Sequence, residues 1–331
     1  MTHLARLLVC TAAVGILPVS AGAQDAIEMI ITNELSRSHW TADQMEQYAD
    51  AIDEASGGRI DAKVFHSSTL YSDQEAIGAL GTGAVHMVWP VSVRLETIAP
   101  EAGILTLPFV LDDETMAKPG APSAVGNFLT NYMDPVGIGV LGVARTADLF
   151  FLTKEAPVET MDDLQNRKIR ATGGRVMLNL LDEFGASAIS MSATEMGPAM
   201  SQGAIDGILT SSGGWEMVGT STAPYGSLVS GLNLVVYAIL VDQAWLDGLP
   251  DDLGTVVEDA TKAFVDENWA SAKDLDRTTL EKVIDAGGMF SQVDPEARDA
   301  FVEAAETVRQ DWSQDYPEAW SEFQSVLEPY R

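Results

Sequence analysis

The sequence predicts an α/β protein, and three observations carry that expectation. Strand-like and helix-like segments alternate from Ile27 onward. Alternation of that kind builds a parallel sheet covered by helices. Behind an N-terminal leader about 308 of the 331 residues remain, enough for one large or two ordinary domains with proper cores. No low-complexity linker or internal repeat interrupts them.

Taken in order, Ile27 to Thr32 is a short apolar strand. Thr41 with Gln44 reads as a capping box opening a helix that carries Met45, Tyr48 and Ile52 on one face, and Gly57-Gly58 ends it. Ile60 to Phe65 is the next strand, Asp73 to Leu80 a helix and Val85 to Trp89 a third strand. Val136 to Ala144 and Ala147 to Thr153 read as strands on either side of Arg145, and Gly231 to Val241 is a long apolar run ending at Asp242. Leu253, Val256, Val257, Ala260 and Phe264 recur at helical spacing. Asp294-Pro295 opens another helix, with Phe301, Ala304, Ala305, Val308 and Trp312 as its buried stripe, and Pro317 starts or kinks the last one.

Arg6 precedes an apolar run from Leu7 to Val19, and Ala21-Gly22-Ala23 supplies small residues before Gln24. This is the layout of a cleavable secretory signal, so residues 1–23 are set apart from the fold. The run is shorter than the roughly 20 residues a spanning helix needs. Cys10, the single cysteine, lies inside it, and the mature chain is expected to have no thiol, disulfide or lipid anchor. With Arg6 gone, 18 of the 19 basic residues face 49 acidic ones, a formal charge of −31 instead of −30. That excludes nucleic acid and anionic membranes as partners. An anionic ligand is compatible with it, because exposed charge is screened within about 10 Å at 0.1 M salt and arginines in a cleft set the local field.

Several chemistries find no support. Gly137-Ile138-Gly139-Val140-Leu141-Gly142 matches the dinucleotide pattern, yet it lies within an apolar strand-like run instead of opening a helix, so no cofactor is expected. The histidines beyond the leader, His39, His66 and His86, form no metal spacing with one another or with a cysteine, so no metal is expected. Gly219 to Ala223 and Gly185 to Ile189 both lack the last glycine of a nucleophile elbow. With no thiol and no recognisable triad, an enzyme is not expected.

The stretch from Asp163 to Trp215 is the most informative. Lys168-Ile169-Arg170 sets an arginine at a strand end, Gly173-Gly174 breaks the strand, and Val176, Leu178, Leu180, Leu181 and Phe184 follow at helix-compatible spacing. A guanidinium held there can grip a carboxylate with two parallel hydrogen bonds, and backbone N–H groups at the helix start can add favourable dipoles. The wording Asp163-Leu164-Gln165-Asn166-Arg167-Lys168-Ile169-Arg170, then Gly185-Ala186, Met191, Glu195, Gln202-Gly203 and Ile205-Asp206-Gly207 resembles the periplasmic solute-binding subunits of TRAP transporters, the DctP-like family. The resemblance continues in Ser56 to Ile60, in Pro100-Glu101 with Leu107-Pro108-Phe109, and in Trp245 ahead of Leu249-Pro250, covering nearly all of the mature chain.

That resemblance implies a two-domain periplasmic binding protein fold, with hinge strands and a long C-terminal helix spanning both domains. The crossings fall near residues 144, 234 and 275. Domain I is then 24–143 plus 234–275, and domain II is 144–233 plus 276–331 with the C-terminal helices. It implies a monomer that captures a small organic acid, a dicarboxylate by default, and delivers it to TRAP membrane permease subunits. An enzyme acting on a carboxylated substrate, or a binding protein for an ATP-driven importer or sensor kinase, are the alternatives. Arg170 matches the family arginine that holds the ligand carboxylate. Arg145 stands where a second arginine often lies, but its spacing to Arg170 is longer here, leaving a hinge-strand role as the alternative. Arg94 and Asn33 resemble positions near the ligand, although Val91 replaces an acidic residue found in some sugar-acid binders. Thr210 and Ser211 occupy the segment that lines the cleft, Asn233 lies in a crossing segment, and Trp89 and Trp215 are either pocket walls or core.

Overall fold

The computed structural model describes residues 26–331, so the expected leader at residues 1–23 and Cys10 lie outside the described residues. The first half of the chain runs β1 (Ile27–Thr32), α1 (Trp40–Ala55), β2 (Ile60–Phe65), α2 (Asp73–Ala79), β3 (Met87–Val88), α3 (Asp113–Met116), α4 (Ala121–Met133), β4 (Ile138–Asp148) and β5 (Phe150–Thr153). There follow β6 (Lys168–Ala171), α5 (Arg175–Glu183), β7 (Ser187–Ser190), α6 (Ala193–Ser201), β8 (Gly207–Thr210), α7 (Ser212–Val218), β9 (Tyr225–Leu228) and β10 (Leu234–Asp242). The C-terminal part is α8 (Gln243–Asp247), α9 (Asp251–Asp285), β11 (Met289–Gln292), α10 (Pro295–Asp315) and α11 (Pro317–Leu327).

Two sheets result, ordered β2-β1-β3-β10-β4 and β11-β9-β5-β8-β6-β7. The α/β class holds, but neither sheet is wholly parallel. β1, β2 and β3 are parallel, whereas β10 runs antiparallel to both β3 and β4. In the second sheet β6, β7 and β8 are parallel and β5 is antiparallel to β8 and β9. The antiparallel strands are the ones that carry the chain between the sheets. β4 pairs with β10 through Asp148 and β5 joins the second sheet two residues later; the return goes from β9 to β10. Instead of breaking at Arg145, β4 is one continuous strand through it.

Helix α9 ties the two halves together. Leu253, Val257, Thr261, Val265, Asn268, Trp269, Ala272, Asp276, Thr279 and Val283 are buried along its 35 residues, a stripe of helical period kept up for about 50 Å. Its first part packs on α1, α4 and β4, its last part on α7. Helix α10 packs on α5 of the second half, and α11 returns to α4 of the first. The glycines of the dinucleotide-like pattern serve packing: a Cβ on Gly126 of α4 would stand 2.6 Å from the backbone of Gly142, and one on Gly142 would stand 3.0 Å from Val265 of α9. At the start of α1 the cap is His39, whose Nδ1 accepts the Thr41 N–H at 3.2 Å, so the expected Thr41 capping box does not form.

Candidate functional site

In an open α/β sheet, loops leaving the C-terminal ends of parallel strands gather at one edge, where ligands bind. Here β1, β2 and β3 of the first sheet present three such loops, and β6, β7 and β8 of the second present three more. Between them lies a cavity of about 50 Å³ lined by Val91, Val93, Thr106, Thr172, Gly173 and Asn233 among others.

Arg170, next to this cavity on β6, is 2% exposed. Its Nε and Nη2 both donate to the Met191 carbonyl, at 3.0 and 2.8 Å, which holds the guanidinium plane in one orientation. No side-chain carboxylate pairs with it among the described residues. Burial, then the neighbouring Arg94 charge, lower its pKa to about 10, with Glu195 acting the other way. Arg94 is only half-buried, yet its Nε is inaccessible and without a partner.

Opposite charges stand beside Arg94. Asp73, the first residue of α2, is 1% exposed; its Oδ2 accepts the Val91 N–H at 3.4 Å and its Oδ1 has no partner. The Glu34 carboxylate accepts the Asp73 N–H at 3.1 Å. Burial first, then Glu34, push the Asp73 carboxyl up to about 7, while the Val91 N–H and Arg94 pull it down. The half-buried Tyr237 of β10 feels the same three charged groups, and burial with Asp73 and Glu34 raises its pKa further above the ordinary range. Sequence reasoning missed Glu34, Asp73 and Tyr237 as a group, since they meet only when β10 inserts beside β3. The one local signal was Glu34 following Asn33 at a strand end.

A third carboxylate, Glu96, also escaped the sequence reading. The N–H groups opening α5 are not free for a ligand: Glu96 Oε2 accepts those of Arg175 at 2.7 Å and Val176 at 3.4 Å. Gly174 has no side chain to cap the helix, so a residue of the first half does so. Thr106 Oγ1 donates to the other Glu96 oxygen at 2.9 Å.

The remaining expected residues lie elsewhere or are already engaged. Arg145 is fully buried on β4, away from Arg170, in an ionic cluster with Asp113 at 2.6 Å, Asp148 at 2.8 Å and Asp276 at 3.7 Å. Asp276 of α9 also accepts the Asp148 N–H at 2.9 Å and the Ser212 hydroxyl of α7. The longer spacing places Arg145 where the chain crosses. Asn33 accepts Leu35 N–H at 2.9 Å and meets His66 Nδ1 at 3.1 Å, closing its own loop. Asn233 lines the cavity, but its amide donates to Thr106 O at 2.6 Å and accepts Leu234 N–H at 2.7 Å. Thr210 ends β8 against Gly214, and Ser211 caps α7 by accepting the Gly214 N–H at 3.2 Å. Trp89 packs on Tyr48 and Phe264, and Trp215 on Phe150 with its Nε1 bonded to Ala223 O at 2.7 Å. Both rings are in the core, and neither forms a wall of the cavity.

Comparison with known proteins bears on this geometry. The model of the bacterial extracellular solute-binding protein family 7 matches residues 31–315. A C4-dicarboxylate-binding protein of Bacillus subtilis is 24% identical over 79% of this chain and 75% of its own. A C4-dicarboxylate-binding periplasmic protein of Vibrio cholerae is 24% identical over 80% of this chain and 79% of its own. Among solved structures, a TRAP periplasmic solute-binding protein of Chromohalobacter salexigens with bound D-glucuronate superposes with a TM-score of 0.82 at 23% identity, covering 91% of this chain and 99% of that one.

Proposed function

This chain belongs to family 7 of the bacterial extracellular solute-binding proteins, whose members bind solutes and are not enzymes, and from that premise we propose that it captures a carboxylate for a TRAP transporter. The ligand is a small organic-acid anion held in the cleft between the two sheets. The two lobes close on it by hinge motion about the crossings near 144, 234 and 275, and the closed form is what the membrane permease subunits recognise. The protein acts as a monomer in the periplasm, reached through the leader at residues 1–23.

The observation that carries this reading is Arg170: a guanidinium held in plane by one carbonyl, paired with no side-chain carboxylate among the described residues, beside a second arginine with a buried donor to spare. A planar fork pre-set in this way suits a carboxylate, which takes two parallel N–H donors. Kinship with C4-dicarboxylate binders and with a glucuronate-bound structure supports the same ligand chemistry.

Arg170→Lys keeps the charge and loses the fork. Calorimetric titration of the best carboxylate should show a loss of roughly 2 to 5 kcal/mol in binding. Unchanged affinity would remove Arg170 from the site.

A further inference from the structure

His39, His66 and His86 all belong to the first half, but their contacts divide them. His66 meets Asn33 and Glu46, while His86 accepts the Ile30 N–H at 2.9 Å and packs on Trp245, contacts that stay within that half. His39 faces the second half. Its Nε2 lies so close to Gly213 of α7 that a Cβ on Gly213 would stand 2.8 Å from it. On the other edge of the ring Nδ1 accepts the Thr41 N–H at 3.2 Å, capping α1, and the ring stacks on Trp40 with centroids 5.5 Å apart. A neutral imidazole suits this setting and an imidazolium does not. Nδ1 accepts only while it carries no proton, so a second proton on the ring removes the cap and adds a charge pressed against the backbone of α7. Burial alone lowers the ring's pKa from an ordinary 6.5 to about 4. The charged groups on the neighbouring elements, Arg37, Asp43 and Glu46 around α1, Glu216 of α7 and Asp276 of α9 on the Ser212 hydroxyl, give the imidazolium no support there.

We propose that His39 is a pH-sensitive latch on closure of the two halves: the neutral ring lets α1 and α7 meet, and the protonated ring holds them apart and releases the ligand. This rests on the carboxylate-capture and hinge reading above and adds a control to it. When the halves separate, Gly213 leaves Nε2 and water reaches the ring, so its proton affinity returns toward the ordinary 6.5. The sign follows from linkage. The open form binds the proton more strongly and the closed form binds the ligand more strongly, so each weakens the other. Ligand affinity is therefore full above about pH 6.5 and falls as pH drops toward 4.

Calorimetric titration with D-glucuronate, succinate and butanoate between about pH 7.5 and about pH 5 tests this on the unaltered protein and on His39→Asn, whose side-chain oxygen can keep the α1 cap but takes up no proton. Titration of the ligand itself, and of Asp73, His66 and His86, is common to both proteins and cancels in their ratio. Over that range the unaltered protein should lose about ten-fold more affinity than the variant, and near pH 6 its binding should release roughly half a proton more. The unaltered protein alone gives a second reading by NMR. The His39 ring should titrate near about 6 without ligand and below about 5 when saturated. Parallel affinity profiles in the two proteins overturn the latch and leave carboxylate capture standing. So does a loss in His39→Asn that is equal at every pH, which confines His39 to capping α1, or a ring that titrates alike with and without ligand. Failure of all three acids to bind the unaltered protein at about pH 7.5 overturns both readings.

Discussion

Asp73 is held protonated into a pH range where an ordinary carboxylic acid is fully ionised, and this has a consequence for stability. Four groups face it: Glu34 from the loop after β1, the Val91 N–H and Arg94 after β3, and Tyr237 from β10. Burial and Glu34 outweigh the favourable pair, so the folded-state pKa is about 7 against an ordinary value of 3.8. Between those values the folded chain binds a proton that the unfolded chain has released, so stability falls as pH rises from about 4 to about 7. Asp73→Asn removes the titration while keeping shape. In chemical denaturation the variant should gain on the parent as pH rises through that window, by on the order of 1 to 4 kcal/mol. Parallel pH profiles for the two proteins would show that Asp73 ionises freely. Arg170 was legible from its strand-end setting, because the reason for it is local. Asp73 and Glu34 were not, because their meaning depends on each other and on Tyr237, brought together across more than 160 residues of chain.

Helices show the same division between local and distant causes. The stripe of α9, the α2 capping box of Ser72 and Glu75, and the proline starts of α10 and α11 all follow from spacing within the element. The mixed direction of the sheets did not, since β4 and β10 read as ordinary apolar runs and only their crossing role makes them antiparallel. Helix α5 is the instructive case. Its glycine opening was legible, but the anion at its N-terminus is Glu96 from the other half of the molecule. A carboxylate there satisfies two orphan donors and lies favourably in the helix dipole. Because it bridges the halves, it stabilises their approach as well as the helix. Glu96→Ala should therefore destabilise the helix start by about 0.5 to 2 kcal/mol. If the closed form is the one that binds, ligand affinity falls by a corresponding factor of about 2 to 30. A Glu96→Ala protein with unaltered affinity and lower stability would confine the residue to a structural part.

At the scale of the whole molecule, several links join the halves in this conformation, among them Glu96 on α5, Asn233 on the Thr106 carbonyl, His39 against Gly213 of α7, and the Arg145 cluster with Asp276 and Ser212. The cavity between them, about 50 Å³, holds little more than a water or two, whereas organic ligand sites run from roughly 300 Å³ upward. On the proposed hinge reading, a ligand enters only after the halves separate. The Arg145 cluster sits on the crossing strand and on α9, so it can persist as the pivot while the Glu96 and His39 contacts at the mouth break. Solution scattering tests this division. The ligand-free protein should have a larger radius of gyration than this conformation, Glu96→Ala a larger one still, and saturating ligand should bring both to the same compact value. A radius indifferent to ligand in both proteins would mean that capture proceeds without closure. The Glu96 link would then be a fixed strut, and the cavity would have to admit its ligand through side-chain motion alone.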